Sequence, residues 1–312
     1  MKIIERMVDF ENLDSVLERS RIEFLTSEED YPKFKSRFRI GLLDPDTQMK
    51  YFEMSESGEV CASFLLVYKR MRMNQETIKV CFLTQVIVSR SFRGQGLTYK
   101  IAEYAEKVAT MENVGITFVV ARRAARDLYF KLGFVGFSHF SKISLDKAKK
   151  TITSTATNII WPNEEDLQLI LGLYEKTYTN LNFFLIRSIE SFKGVLNMPN
   201  YQLGLSSDKS FYFIGSSRKV VEIGMNEHVA MEEVIATLIN EGFDSIELNG
   251  NHKISNYALT QKMFYSERFE LREGHLLRIH KANLDIHQKQ ILEQFIRFPG
   301  SQRAELLEID QW

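Results

Sequence analysis

Cysteine is nearly missing from this chain of 312 residues: there are two, Cys61 and Cys81. Both fall in strand-like segments of one predicted hairpin that turns near Asn74–Thr77. That register sets Cys81 opposite about Arg70 and Cys61 opposite about Arg90, roughly 30 Å apart at ~3.4 Å per residue. A disulfide cannot span such a distance, so the reading is two buried thiols in a reducing compartment. Proline (5) and glycine (16) are also few, which excludes long disordered or collagen-like tracts. No apolar run approaches the ~18 residues of a transmembrane helix. Met1–Phe10 carries charges where a secretory leader needs an apolar core. A cytoplasmic protein is expected. Excess charge of either sign is absent too: Lys plus Arg is 40, Asp plus Glu is 41, and the net charge is −1. That balance gives no reason to expect a nucleic-acid or membrane partner. His228, His252, His275, His280 and His287 lack metal-ligand spacing, so no metal is expected.

What is present is an ordinary globular composition, 44% hydrophobic and 26% charged, in a chain long enough for two domains. The first half reads as mixed α and β. Phe10 to Phe24 has a partial helical period in Leu13, Val16, Leu17 and Phe24. Leu25 to Arg39, with the acidic run Glu28, Glu29 and Asp30, reads as a short helix or a solvated loop. Lys50 to Ser55, Val60 to Met71 and Val80 to Val88 read as strands. Leu97, Ile101, Ala105 and Val108 give the next helix one apolar face. Ile116 to Ala121 is a short buried strand, Ala124 to Lys131 a helix closed by Gly133, and Phe134 to Leu145 a strand. The polar stretch 147–157 then suggests a linker. Beyond it the second half repeats the order of elements: a helix, three strands (Tyr201 to Ser206, Phe211 to Ser216, Lys219 to Met225), a helix, a strand, a helix, and a strand from Leu276 to His280. Domains are expected at 1–147 and 158–281, with a helical tail over 282–312.

The chemistry is concentrated where the strand ending at Val88 runs through Arg93-Gly94-Gln95-Gly96-Leu97-Thr98 into a helix. A turn of this kind points several N–H groups at one spot, and the helix start adds partial positive charge, which together favour a phosphate. Gly94 and Gly96 permit the torsions and the close backbone approach, and Arg93 can add a charged contact. A dinucleotide loop would need a small residue at Tyr99, and a P-loop would need Gly-Lys-Ser/Thr; both are missing. Downstream lies Ala125-Arg126-Asp127-Leu128-Tyr129-Phe130-Lys131-Leu132-Gly133-Phe134. Together the two stretches resemble the GNAT acyltransferase superfamily. Its Arg/Gln-x-x-Gly-x-Gly/Ala hallmark is matched at Arg93 and Gly96. Its Ala-x-x-Leu-Tyr-x-Lys-x-Gly-Phe hallmark is matched at Ala125, Leu128, Tyr129, Lys131, Gly133 and Phe134.

The resemblance implies an α+β fold, a central mixed sheet flanked by helices, in two tandem copies. It implies acetyl-CoA as cosubstrate and an amine acceptor on a small molecule, peptide or protein. The amides of Gly94, Gln95, Gly96, Leu97 and Thr98 would hold the pyrophosphate. The backbone of Val86, Ile87 and Val88 would pair with the pantetheine arm, and Tyr129 would protonate the leaving sulfur. Arg122, Arg123 and Arg126 form a basic cluster that reads equally as a contact to the 3′-phosphate or an anionic acceptor and as a solvated helix start. Three positions depart from the family pattern: Thr98 in place of Gly or Ala, Arg122 in place of Asn, and Gln85 where some members carry a Glu base. In the second half the corresponding turn is Asn226-Glu227-His228-Val229-Ala230, which has no glycine and no arginine. That half reads as a degenerate GNAT-like domain, able to wall an acceptor pocket or shape a homodimer; an unrelated α+β domain is the alternative. The expected function is an acyl-CoA-dependent N-acyltransferase. The reading against it is a silent acyl-CoA-binding sensor or scaffold.

Overall fold

The structure is a computed structural model. It describes residues 1–24, 27, 28, 30–74, 76–121, 125–136, 139–149, 152–179, 183–198, 201–249, 252–261, 270, 271, 275–297, 304 and 305. In chain order the first half holds β1 (Lys2–Met7), α1 (Leu13–Glu23), α2 (Tyr31–Leu43), β2 (Gln48–Glu56), β3 (Glu59–Met73), β4 (Glu76–Val88), α3 (Leu97–Met111), β5 (Ile116–Val120), α4 (Arg126–Lys131) and β6 (Val135–Gly136). Then come β7 (His139–Ser144), α5 (Leu145–Ala148), β8 (Ile159–Ile160), α6 (Leu167–Tyr178), β9 (Phe183–Leu185), α7 (Ile189–Leu196), β10 (Tyr201–Ser206), β11 (Phe211–Ser216) and β12 (Lys219–Met225). The chain continues with α8 (Met231–Asn240), β13 (Ser245–Asn249), α9 (Lys253–Thr260), β14 (Glu270–Leu271), β15 (His275–Ile279) and α10 (Ile286–Arg297).

Two compact units result, and their borders interleave along the chain. Unit 1 is Met1–Phe137 with Glu273–Phe298 and Trp312; unit 2 is Ser138–Arg272 with Pro299–Gln311. The polar stretch 147–157, read from sequence as a linker, lies inside unit 2. Leu276 to His280, read with the second half, supplies β15 to unit 1. The strand expected over Phe134 to Leu145 is in fact two, β6 and β7, and β7 belongs to unit 2.

In unit 1 the strand order is β1-β2-β3-β4-β5-β15-β6. β2, β3 and β4 form a long antiparallel meander, and β4 meets β5 in parallel after the crossover through α3. α3 forms because its apolar residues recur on one face; it buries Leu97, Ile101, Ala102, Ala105, Val108 and Ala109. That stripe joins Phe52, Phe64, Leu66, Cys81, Leu83 and Tyr129 in one cluster. α1 buries Leu13, Val16 and Leu17. The hairpin register differs from the sequence estimate. β3 and β4 turn tightly, Met73 facing Glu76, so Cys81 lies opposite Tyr68, and the Ser89 amide bonds the Cys61 carbonyl at 2.9 Å. Both thiols are buried and free, and burial pushes Cys81 up to about 12. β1 was not foreseen: most of its residues are exposed, so no alternation marks it.

Unit 2 has the order β14-β7-β13-β12-β11-β10-β8. One cluster joins Phe211, Phe213, Ile223 and Ile246 to α8 and α9; the other joins Tyr212, Ile214 and Val221 to α6 and α7. The succession β10, β11, β12, α8, β13 echoes β2, β3, β4, α3, β5, again with a parallel pair after the crossover. Among the described residues, no helix is long and apolar enough to cross a membrane.

Candidate active site

Two features of β4 open the sheet of unit 1. The first is a bulge. Leu65 faces Thr84 and Ser63 faces Ile87, so Gln85 and Val86 together oppose Phe64. Gln85 sits at φ 51°, in the left-handed region, a conformation uncommon for a residue other than glycine and one that bends and twists the strand. The second is an early end to pairing. β4 and β5 pair from Val80/Ile116 to Phe82/Phe118 and no further. The stacked rings of Phe82 and Phe118, 5.2 Å apart, mark the last rung. Beyond it, Val86, Ile87 and Val88 have no strand partner on the β5 side among the described residues. Ile87 is buried, and Val86 and Val88 are half-buried against the α3-side core.

The turn after β4 follows at once. Gly94 and Gly96 have φ 79° and 72°, and a Cβ at either would meet nothing within 4 Å. Arg93, Gly94, Gln95 and Gly96 are exposed. The Tyr99 and Lys100 amides close on the Gly96 carbonyl at 3.0 and 3.3 Å, and the Arg93 amide on Arg90. Among the described residues, the amides of Gly94, Gln95, Gly96, Leu97 and Thr98 have no acceptor. α3 has no acidic residue in its first turn. Five consecutive unspent donors at a helix start, the first three on exposed residues, suit a diphosphate. Thr98 is the second residue of α3, so its side chain stands in the helix, clear of the glycine turn.

Arg93 does something the sequence did not suggest. Its Nε donates to the Val88 carbonyl at 3.2 Å and its Nη2 to Glu23 at 3.2 Å. It braces the turn against the strand and α1. Arg19 does the same one step earlier, donating to the Val60 carbonyl at 2.9 Å and to the Ser89 hydroxyl. Neither contact has a signal in the sequence, because the partners are far apart along the chain.

Tyr129 lies on α4, buried to 4% exposure, with its ring edge-on to Phe134 at 5.4 Å. It shares a cluster with Leu97, Val119 and Ala121. Among the described residues its hydroxyl has no hydrogen-bond partner. Burial pushes its phenol up to about 12, so it stays protonated. Arg126 is half-buried at the start of α4; Arg122 lies outside the described residues. Of the acidic run, Glu28 is exposed and Asp30 accepts from Ser27 at 2.8 Å, while Glu29 also lies outside. Among the described residues, no three His, Cys, Asp or Glu side chains are grouped to hold a metal ion.

The acetyltransferase (GNAT) family model matches residues 13–134, the span from α1 through the turn to the residue after α4. Residues 13–134 form a GNAT acetyltransferase domain. None of the curated proteins compared with the chain matches it in sequence. Solved structures do match in fold. A GCN5-related N-acetyltransferase from Anabaena variabilis superposes with TM-score 0.64 at 14% identity over 89% of this chain and 73% of its own. An Enterococcus faecalis protein titled "Probable N-Acyltransferase" gives TM-score 0.59 at 12% identity over 79% of this chain; the chain spans 65% of that protein's length. The N-myristoyltransferase of Saccharomyces cerevisiae, solved with myristoyl-CoA, gives TM-score 0.54 at 9% identity over 89% of this chain and 78% of its own. The likeness covers more of the chain than the GNAT domain does, so it includes the second half. There, β12 and β13 pair only at Lys219/Ser245 and Val220/Ile246, so that sheet is open in the same way. Its turn differs. Asn226-Glu227-His228-Val229-Ala230 has no positive φ, and α8 begins with Glu232 and Glu233, which repel a phosphate.

Proposed function

We propose that unit 1 transfers an acetyl group from acetyl-CoA to the nitrogen of a primary amine carried by a small molecule, a peptide or a protein. The run of unspent amides from Gly94 to Thr98, at the end of a splayed strand, supports this most. In this reading those five amides bind the pyrophosphate of coenzyme A, and Arg93 holds the turn in shape. The open edge of Val86, Ile87 and Val88 takes the pantetheine arm as an added strand, with Arg126 and Arg122 toward the 3′-phosphate. A thiolate is a fair leaving group, so the site has to place the nitrogen against the carbonyl and stabilise the oxyanion and the departing sulfur. Tyr129, protonated at every working pH, donates to that sulfur. The family description supports acetyl, and the yeast neighbour's myristoyl-CoA makes chain length a point to measure.

The test combines calorimetry of coenzyme A binding with thiol release from acetyl-CoA over a panel of amines and peptides. Binding together with amine-dependent thiol release is the expected result. Binding with no thiol release from any acceptor would favour a silent acyl-CoA sensor, and no binding would remove the phosphate turn from the argument.

A further inference from the structure

The bulge of β4 sets a limit on the acceptor, given the N-acyltransferase reading above. Gln85 stands in it at φ 51°. Its Nε2 reaches Thr84 Oγ1 at 3.5 Å, and its buried Oε1 has no hydrogen-bond partner. The side chains along the rest of the open stretch are Val86, Ile87 and Val88 on β4, Val119 and Val120 on β5, and Ala121 just after it. None of them takes a proton. Tyr129 is protonated already. Of the carboxylates on the framing elements, Glu23 is held by Arg93 at 3.2 Å and Glu53 by Arg6 at 2.9 Å, while Asp127 on α4 is exposed. Gln85 therefore leaves a hydrogen-bond acceptor unspent at the bulge, and among the described residues the open stretch offers no base.

We infer that the acceptor is a weakly basic nitrogen, neutral near pH 7 without help, such as an α-amino group, an arylamine or a hydrazine, and not a lysine-type alkylamine. The nitrogen lone pair attacks the thioester carbonyl carbon, the C–N bond forms and the C–S bond breaks. Sulfur leaves with its electron pair and takes the Tyr129 hydroxyl proton; the proton shed by nitrogen goes to water, and water re-protonates Tyr129. The balance is amine plus thioester to amide plus thiol. An alkylammonium carries one more proton, and nothing in the open stretch removes it. With ordinary values near 7.7–8.0 for an α-amino group and 10.4 for lysine, the neutral fractions at pH 7 are about 10% and about 0.04%. The alkylamine's greater intrinsic nucleophilicity offsets part of that difference.

The experiment measures thiol release from acetyl-CoA against pH with alanine amide, 4-anisidine and phenylhydrazine, and with Nα-acetyl-lysine amide. The expected kcat/KM rises with pH up to a limb that moves with each acceptor's own pKa. At pH 7 the weakly basic acceptors lead the lysine derivative by about tenfold or more. Gln85→Glu should add a limb belonging to the enzyme and raise the lysine derivative's rate at pH 7. A single limb at one pH for every acceptor in the wild-type protein reveals a base on the enzyme and overturns the inference. So does a lysine derivative that matches alanine amide at pH 7. Coenzyme A binding with no thiol release from any acceptor overturns both this inference and the transferase reading; thiol release confined to the lysine derivative overturns this inference alone.

Discussion

Gly96 turns the backbone through φ 72° immediately before α3, and the space beside it is open. Gly96→Glu puts a carboxylate among the unspent amides and adds strain at a positive φ. The expected result is loss of measurable coenzyme A binding by calorimetry, with the far-ultraviolet spectrum unchanged. Tyr129 makes a different prediction. Tyr129→Phe keeps the ring that packs on Phe134 and deletes the donor, so kcat should fall by about 10²-fold or more while the dissociation constant of coenzyme A stays within about twofold. An unchanged kcat would remove Tyr129 from the chemistry. At this scale the sequence was a good guide wherever a residue type answers a local backbone need. Gly94, Gly96 and Gly133 all have the positive φ that glycine tolerates best. Gln85 gave no such sign, since glutamine has no preference for the left-handed region and the strand pattern runs on through it. Arg93 was legible as a cation at the turn, but not as the brace between Val88 and Glu23.

Among the elements, the helices and meander strands were visible because their periods are local. α3 shows its apolar stripe, and β3 and β4 their β-branched runs. β15 shows how a correct strand assignment can still leave its place unknown. Alternation says that Leu276 to His280 is a strand, but period two carries no information about which edge it joins. It joins β5, with Leu276 facing Val119 and Ile279 facing Ile116. Its neighbours tie it in. Arg278 donates to the Leu132 carbonyl and to Glu106, both at 2.5 Å. Asn283 donates to the Val114 carbonyl at 2.9 Å. Leu276 is 1% exposed, within the same cluster as Tyr129. Leu276→Ala should therefore cost about 2–4 kcal/mol, read by denaturant unfolding, and should weaken coenzyme A binding to unit 1 although position 276 lies far along the chain from the turn.

Among the described residues two histidines are buried, one in each unit, and both respond to acid. His252 sits at the start of α9; its Nδ1 accepts the Ile254 amide at 3.2 Å and its Nε2 meets the Ile223 carbonyl at 3.1 Å. His280 follows β15, with Nε2 2.7 Å from the Thr117 hydroxyl. Burial lowers each from 6.5 to about 4. In the unfolded chain both take protons more readily, so proton uptake draws the equilibrium toward unfolding as the pH falls. Their contribution to stability is complete above about pH 6.5 and lost as the pH falls toward 4. The melting temperature should drop across that window, and His280→Gln should flatten part of the drop.

The interleaving of the units also has a consequence for synthesis. A nascent chain that has just emerged through residue 120 has β5 but not the strand that covers its far side, because His275–Ile279 is still unmade. At about 5–20 residues per second, the ribosome needs on the order of 10–30 s to deliver it. During that interval the amino-terminal sheet waits with a bare edge, open to chaperones and to mispairing with neighbouring chains, and the sheet that carries the proposed transferase site is finished only when the other half has been translated.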